Sequence, residues 1–124
     1  MKKKTIKISI YGAVIFVILI LFIAYGPDVN TLTYKVTGTA STVNVTFRNV
    51  QGGIEQRSNV SLPWSLSFDV EGYGQFVSIS AQNQGNTGSV TVSILANGNE
   101  RRTSTSEGAF VIASTSGTWG FWDR

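Results

Sequence analysis

An uninterrupted apolar segment near the start of the chain constrains the protein more than any other feature. Residues 8–24 contain no charged side chain, and Tyr25 extends the run. A helix needs about 20 apolar residues, and at least about 17, to cross a bilayer core of about 30 Å. The segment therefore predicts one N-terminal transmembrane helix over residues 8–25.

The charges around this segment predict its orientation. Every lysine of residues 1–7 precedes the apolar run, namely Lys2, Lys3, Lys4 and Lys7. The positive-inside rule then makes residues 1–7 a cytoplasmic basic tail, and Tyr11 and Tyr25 suit the two membrane interfaces. A cleaved signal peptide is the alternative, but Pro27 would directly follow the loose cleavage pattern of residues 24–26. We favour an uncleaved anchor in the cytoplasmic membrane, with residues 26–31 as a linker to an extracytoplasmic domain.

Composition excludes several functional classes. The net charge is +3, but after Gly26 the chain has six basic and seven acidic residues, so no basic face for nucleic acid is expected. There is no cysteine and no histidine in the sequence. Such a chain has no disulfide, no Cys/His zinc site and no His-dependent catalytic triad. We expect no enzyme activity, no cofactor and no metal site.

From residue 32 onward, apolar and polar residues alternate with the period of β-strands. Clear runs cover residues 32–36, 43–48, 64–70, 77–81, 90–94 and 110–114, and weaker ones cover residues 54–60 and 100–105. Glycine-rich turns separate them, and Asn97-Gly98 is a strong two-residue hairpin signal. In the last clear run, Phe110, Ile112 and Ser114 mark one face. The pattern predicts an all-β, immunoglobulin-like β-sandwich of about seven or eight antiparallel strands over residues 32–116.

Two features of the domain are candidate contact sites. The tail at residues 117–124 carries Trp119, Phe121 and Trp122, three large aromatic residues within four positions. Exposed aromatic groups often mark an interface with a partner or with the membrane surface, although the tail could equally fold back and cap the sandwich. Arg101 and Arg102 form the one adjacent basic pair of the domain. A solvated hairpin arm explains that pair better than a partner site.

Five segments of the domain carry a family resemblance: residues 34–40 (YKVTGTA), 59–65 (NVSLPWS), 76–83 (FVSISAQN), 88–94 (GSVTVSI) and 107–110 (EGAF). They resemble the MmpS family of small membrane proteins that accompany MmpL transporters. The resemblance implies a β-sandwich outside the membrane and an accessory role in the export of lipids or siderophores by transporters of the resistance–nodulation–division (RND) class. Typical members carry a cysteine pair on their last strands, and Val92 and Thr115 stand at those positions here. The loss of both together is expected if that disulfide joins neighbouring strands and is dispensable.

We therefore expect a non-catalytic, single-pass accessory subunit, whose partners are a polytopic membrane protein or membrane complex and the lipid bilayer. One alternative is a module that binds a lipid or another small ligand, which would need a cavity. A structural subunit of another membrane assembly is a further alternative.

Overall fold

The computed structural model describes residues 29–120, and eight antiparallel strands make up the regular structure of this range. Alternating Val, Ile, Thr and aromatic residues favour strands because their branched or flat side chains suit a pleated, half-buried surface. The strands are β1 (Val29–Thr37), β2 (Thr42–Arg48), β3 (Ile54–Ser61), β4 (Trp64–Glu71), β5 (Phe76–Asn83), β6 (Ser89–Ala96), β7 (Asn99–Glu107) and β8 (Ile112–Thr118). The predicted all-β class and strand number are confirmed.

The predicted anchor lies outside the described residues, together with its flanking lysines, Tyr11 and Tyr25. Within residues 29–120, no helix has the length and apolar character needed to cross a membrane.

The strands form two four-stranded sheets, in the orders β4-β1-β6-β7 and β3-β2-β5-β8. In an immunoglobulin constant domain the first two strands belong to one sheet. Here β1 and β2 lie in different sheets, so the architecture has immunoglobulin-like size but a different strand order. Strands β6 and β8 are also in different sheets, so Val92 and Thr115 do not lie on hydrogen-bonded strands, although β6 and β8 contact each other across the sandwich.

The core lies between the two sheets and is filled by side chains that point inward from the strands of both sheets. The ring centroids of Tyr34 and Phe47, which come from opposite sheets, are 5.5 Å apart. Phe68 is 6.1 Å from Tyr34, and Trp64 is 5.9 Å from Phe47. Trp64, Leu66 and Phe68 are partly buried against the core, as the alternation along β4 predicts.

The hydroxyl of Tyr34 ties the two sheets together. It donates a 2.7 Å hydrogen bond to the Arg48 carbonyl at the end of β2 and accepts a 3.3 Å bond from the Ser78 amide in β5. Burial raises the pKa of Tyr34 to about 12, against smaller lowering effects of the Ser78 amide and the Arg48 charge. The phenol can be buried here because its hydroxyl has a hydrogen-bond partner both as donor and as acceptor.

At the end of the sandwich where β1 ends, termed the opposite pole, the loops 84–88 and 108–111 are joined through Asn83. This side chain is fully buried, and its amide nitrogen donates to the carbonyls of Thr87 (2.8 Å) and Gly108 (2.9 Å). Its oxygen accepts from the Gly85 amide at 2.8 Å. One polar side chain thus satisfies backbone groups of two loops that have no ladder partners.

The last strand differs from its predicted phase. Phe110 lies in the loop before β8 with φ 55°, and both Phe110 and Ile112 are 57% exposed. Instead, Ala113 is buried, and Thr115 is partly buried on the same face. The buried face of β8 is therefore the one that carries Ala113 and Thr115, and not the one that carries Ile112 and Ser114.

The strand boundaries extend beyond the predicted domain. β1 begins at Val29, inside the predicted linker, because residues 29–31 pair with residues 69–71 of β4. β8 ends at Thr118, which pairs with Phe76, so two residues of the predicted tail belong to the sheet. Neither extension continues the apolar alternation of its strand, so the sequence pattern does not reveal it.

Candidate interaction surface

Strand ends from both sheets meet at the end of the sandwich where β1 begins, termed the N-terminal pole. Val29 pairs with Glu71 at the end of β4, and the short loop 72–75 leads directly into β5 in the other sheet. Phe76, the first residue of β5, pairs with Thr118 at the end of β8. The described chain therefore enters and leaves the domain at the same pole.

Trp119 is held in the domain at this pole and is only 3% exposed. Its amide donates a 2.7 Å hydrogen bond to the Gln75 carbonyl, and its carbonyl accepts a 2.9 Å bond from the Gly74 amide. Its side chain belongs to the hydrophobic core, so it caps the sandwich and does not present an exposed surface. Of the predicted aromatic contact residues, Phe121 and Trp122 lie outside the described residues.

Three large apolar side chains are exposed around the same pole. Ile54 at the start of β3 is 61% exposed, Tyr73 in the loop 72–75 is 68% exposed, and Phe76 is 50% exposed. Gly120 lies against the Tyr73 ring, since a Cβ on this glycine would be 2.6 Å from Tyr73 Cδ1. Exposed apolar groups gathered at one place commonly mark a contact surface.

A hollow of about 500 Å³ opens between the loops of this pole. The Arg48 guanidinium lies 5.7 Å from the centre of the Phe76 ring, a cation–π distance, and both side chains line the hollow. The other lining residues are Asn49, Val50, Gln51, Gly52, Gly74 and Gln75. The hollow lies between loops and not between the sheets, where aromatic rings occupy the space.

Asn49 holds the loop that forms one wall of the hollow. Its side-chain oxygen accepts from the amides of Gln51 (3.0 Å) and Gly53 (2.8 Å), and its amide nitrogen donates to Glu55 at 3.0 Å. This bond from Asn49, followed by one from Arg57, lowers the pKa of the Glu55 carboxyl. The wall is therefore built from local hydrogen bonds that fix the loop.

Charge is balanced across the domain. Residues 29–120 contain five basic and five acidic side chains. Arg57 forms a 3.1 Å ion pair with Glu55 on β3. The described domain therefore has no net charge with which to attract an oppositely charged partner.

Arg101 and Arg102 are not part of this apolar group. Arg102 pairs with Ile94, which itself pairs with Tyr34 in the middle of β1. The pairing register shifts beside Arg101, and the Arg102 guanidinium donates a 2.9 Å bond to the Arg101 carbonyl. Both side chains are half-buried on the edge strand β7. The pair lies on a strand edge, several residues inside the pole.

Sequence reasoning missed Ile54, Tyr73 and Phe76 as surface candidates, although two of them carry a readable signal. Tyr73 lies between Gly72 and Gly74 in a turn, where an aromatic residue has no strand face to join. Phe76 is out of phase with the buried Val77, so its side chain must point to the outer face. Ile54 starts a weakly patterned edge strand and has no comparable signal.

Comparison with known proteins gives one family. A family model described as Mycobacterium membrane protein matches residues 17–116, which cover most of the chain. No curated protein matches the chain.

Proposed function

Because the chain belongs to the Mycobacterium membrane protein family, we propose that it is a non-catalytic membrane subunit that presents a β-sandwich to a larger membrane complex. Membership of this family supports a place at the membrane. In the proposed topology a single transmembrane helix covers residues 8–25, the N-terminus is cytoplasmic and the domain is extracytoplasmic. The proposed partner complex is an exporter of the RND class, of the MmpL type.

The observation that carries this proposal is that both ends of the described domain lie at one pole. Val29 enters there in register with Glu71, and Trp119 is bonded to the loop 72–75. A sandwich attached through one pole keeps its sides and its opposite pole available to a partner. Its interior is filled by aromatic rings, so the fold favours display of a rigid surface over storage of a cargo.

A ligand-binding module is the second candidate, and the hollow at the N-terminal pole is the observation that favours it. Its volume of about 500 Å³ lies in the range of about 300–1,000 Å³ typical of small-molecule sites. The hollow combines one cation, Arg48, with one aromatic ring, Phe76. It ranks second because it is open to solvent between loops and would bury little of an apolar ligand. A structural role in another membrane assembly is the third reading.

The test is co-purification of the full chain from its native membrane in mild detergent, with identification of the bound proteins by mass spectrometry. An RND-class exporter recovered in a fixed ratio to the chain is the expected result. A different stable complex would retain a subunit role and reject the exporter, whereas recovery of the chain alone would reject the subunit role. A lipid or small molecule retained by the purified chain would favour the second candidate.

Substitutions should locate the contact without unfolding the domain. Phe121→Ala and Trp122→Ala test the tail, and Phe110→Ala tests the opposite pole with the same aromatic-to-alanine change. Trp119→Ala is unsuitable because this side chain is buried in the core, so a loss of binding would report on stability.

A further inference from the structure

We propose that the N-terminal pole rests on the surface of the lipid bilayer, with Ile54, Tyr73 and Phe76 inserted among the lipid headgroups. This inference rests on the proposed function only for the anchor at residues 8–25. It does not depend on any protein partner.

The length of the linker restricts where the pole can lie. Only four residue steps separate Tyr25, at the end of the predicted helix, from Val29, where β1 begins. At about 3.3–3.6 Å per residue, those steps span at most about 14 Å. The headgroup layer on each side of the hydrocarbon core is itself several ångströms thick. Val29 is thereby restricted to the headgroup layer or its immediate vicinity.

The exposed residues lie at the same end of the sandwich as Val29. Val29 pairs with Glu71, and Tyr73 follows two residues later in the loop that crosses to the other sheet. Phe76 begins β5 directly after this loop, and Ile54 pairs with Arg48 at the end of β2, whose guanidinium lies over the Phe76 ring. The short linker that holds Val29 near the bilayer therefore also brings these side chains to it.

The chemistry of the pole suits the boundary between lipid and water. An aromatic ring with a hydroxyl, such as Tyr73, places its apolar body among the acyl chains and headgroups and keeps its oxygen hydrated. Phe76 and Ile54 add apolar area that otherwise remains 50% and 61% exposed to water. Arg48 reaches the same site with a guanidinium that can donate to a lipid phosphate while its stem stays on apolar surface.

Charge distinguishes this mode of docking from electrostatic adsorption. Five basic and five acidic residues leave residues 29–120 neutral, and Arg57 is already paired with Glu55 at 3.1 Å. Attraction to anionic lipid needs an excess of Lys and Arg near the surface. Docking should therefore occur on zwitterionic phosphatidylcholine and should resist high salt.

The opposite pole supplies an internal control of the same chemistry. Phe110 and Ile112 are each 57% exposed, comparable with Tyr73 and Phe76. They lie beyond the far end of β1, and a strand of nine residues such as β1 spans about 30 Å. Exposure alone therefore does not select the membrane-facing residues, but position relative to Val29 does.

The natural absence of cysteine allows single labelling sites in the full-length chain. Spin labels are attached to Tyr73→Cys and Phe76→Cys at the N-terminal pole and to Phe110→Cys and Ile112→Cys at the opposite pole. Each variant is reconstituted alone into phosphatidylcholine nanodiscs. Power saturation then compares label relaxation by oxygen, which concentrates in lipid, with relaxation by a water-soluble nickel chelate. We expect oxygen to dominate at positions 73 and 76, and the nickel chelate to dominate at positions 110 and 112.

Equal nickel accessibility at all four positions would overturn the proposal. Labels at 73 and 76 that become protected only when an exporter is added would also overturn it and assign the pole to a protein contact. Docking that requires anionic lipid and is lost in high salt would show that charge, and not apolar contact, holds the pole at the bilayer, and would overturn the proposal. Ile54→Cys, on a different strand, replaces either pole variant that loses the β-sheet circular dichroism signal.

The outcomes separate this inference from the proposed function. If the spin labels at positions 73 and 76 are exposed to water in a chain that co-purifies with an exporter, only the bilayer contact is rejected. Lipid-exposed labels in a chain that recovers no partner reject the accessory role alone. Release of the chain from membranes by alkaline carbonate rejects both, because the pole would then have no anchor to hold it at a bilayer.

Discussion

The hydroxyl of Tyr34 makes a testable contribution to stability because it is the polar link between the two sheets. Tyr34→Phe keeps the ring and its contacts with Phe47 and Phe68, and it removes one oxygen. The Arg48 carbonyl then loses a 2.7 Å donor and the Ser78 amide loses a 3.3 Å acceptor. Leaving a buried polar group unsatisfied costs about 1–3 kcal/mol, and the short bond to Arg48 dominates, so we expect about 2 kcal/mol.

Thermal unfolding of the full chain in mild detergent, followed by circular dichroism of the β-signal, measures this cost. A loss of about 2 kcal/mol in a domain of this size lowers Tm by about 8–16 °C. Tyr73→Phe is the matched control, because it makes the same chemical change on a 68% exposed side chain. We expect the control to stay within about 0.5 kcal/mol of the natural chain.

The pH dependence provides a second, independent readout. The pKa of Tyr34 is raised from 10.0 to about 12 in the folded domain, so the folded state retains this proton more tightly than the unfolded state. The corresponding stability is fully present below pH 10 and is lost as the pH rises from 10 to about 12. Tyr34→Phe should lack this part of the alkaline loss. Equal Tm values for Tyr34→Phe and Tyr73→Phe would refute the reasoning. So would a Tyr34→Phe variant that loses as much stability above pH 10 as the natural chain.

Three further predictions follow from single contacts. Gly38→Ala should destabilise the domain by at least about 2 kcal/mol, because φ is +136° and a Cβ would overlap the Ser89 carbonyl. Gly98→Ala, in the open hairpin turn, should cost only about 1 kcal/mol. Urea unfolding of the two variants compares these costs. Asn83→Ala should cost about 2–4 kcal/mol and accelerate amide hydrogen exchange in the loop 84–88, and unchanged exchange would contradict its bridging role. Trp119→Ala should cost about 3–5 kcal/mol, and a neutral effect on unfolding would show that the indole is not a core residue.

Local patterning identified the strands because their side-chain period is a property of the sequence alone. Val43, Val45 and Phe47 are all buried, as their alternation with polar residues predicts. The Asn97-Gly98 hairpin is also confirmed: both residues have positive φ, 52° and 82°, and Ala96 pairs with Asn99. A two-residue turn depends on backbone preferences that these residue types carry wherever they stand.

The orientation of β8 needed information from elsewhere in the chain. Phe110 and Ile112 are the larger apolar residues, and alternation alone assigns them to the core. In the folded domain they are exposed, and the smaller Ala113 is buried. The space available to a side chain depends on the residues facing it from other strands, and the period of one strand does not contain that information.

The sequence by itself predicted seven or eight strands over residues 32–116, where the structure has eight over residues 29–118, and it predicts a membrane anchor ahead of them, because apolar length and period are local properties. Only the tertiary structure decided that β1 and β2 enter different sheets, that Trp119 is buried, and that Ile54, Tyr73 and Phe76 gather where Val29 enters. These features depend on which distant strands pair, and strand pairing is selected by the packing of the whole core. The candidate surface is therefore a product of topology, assembled from residues of β3, the loop 72–75 and β5.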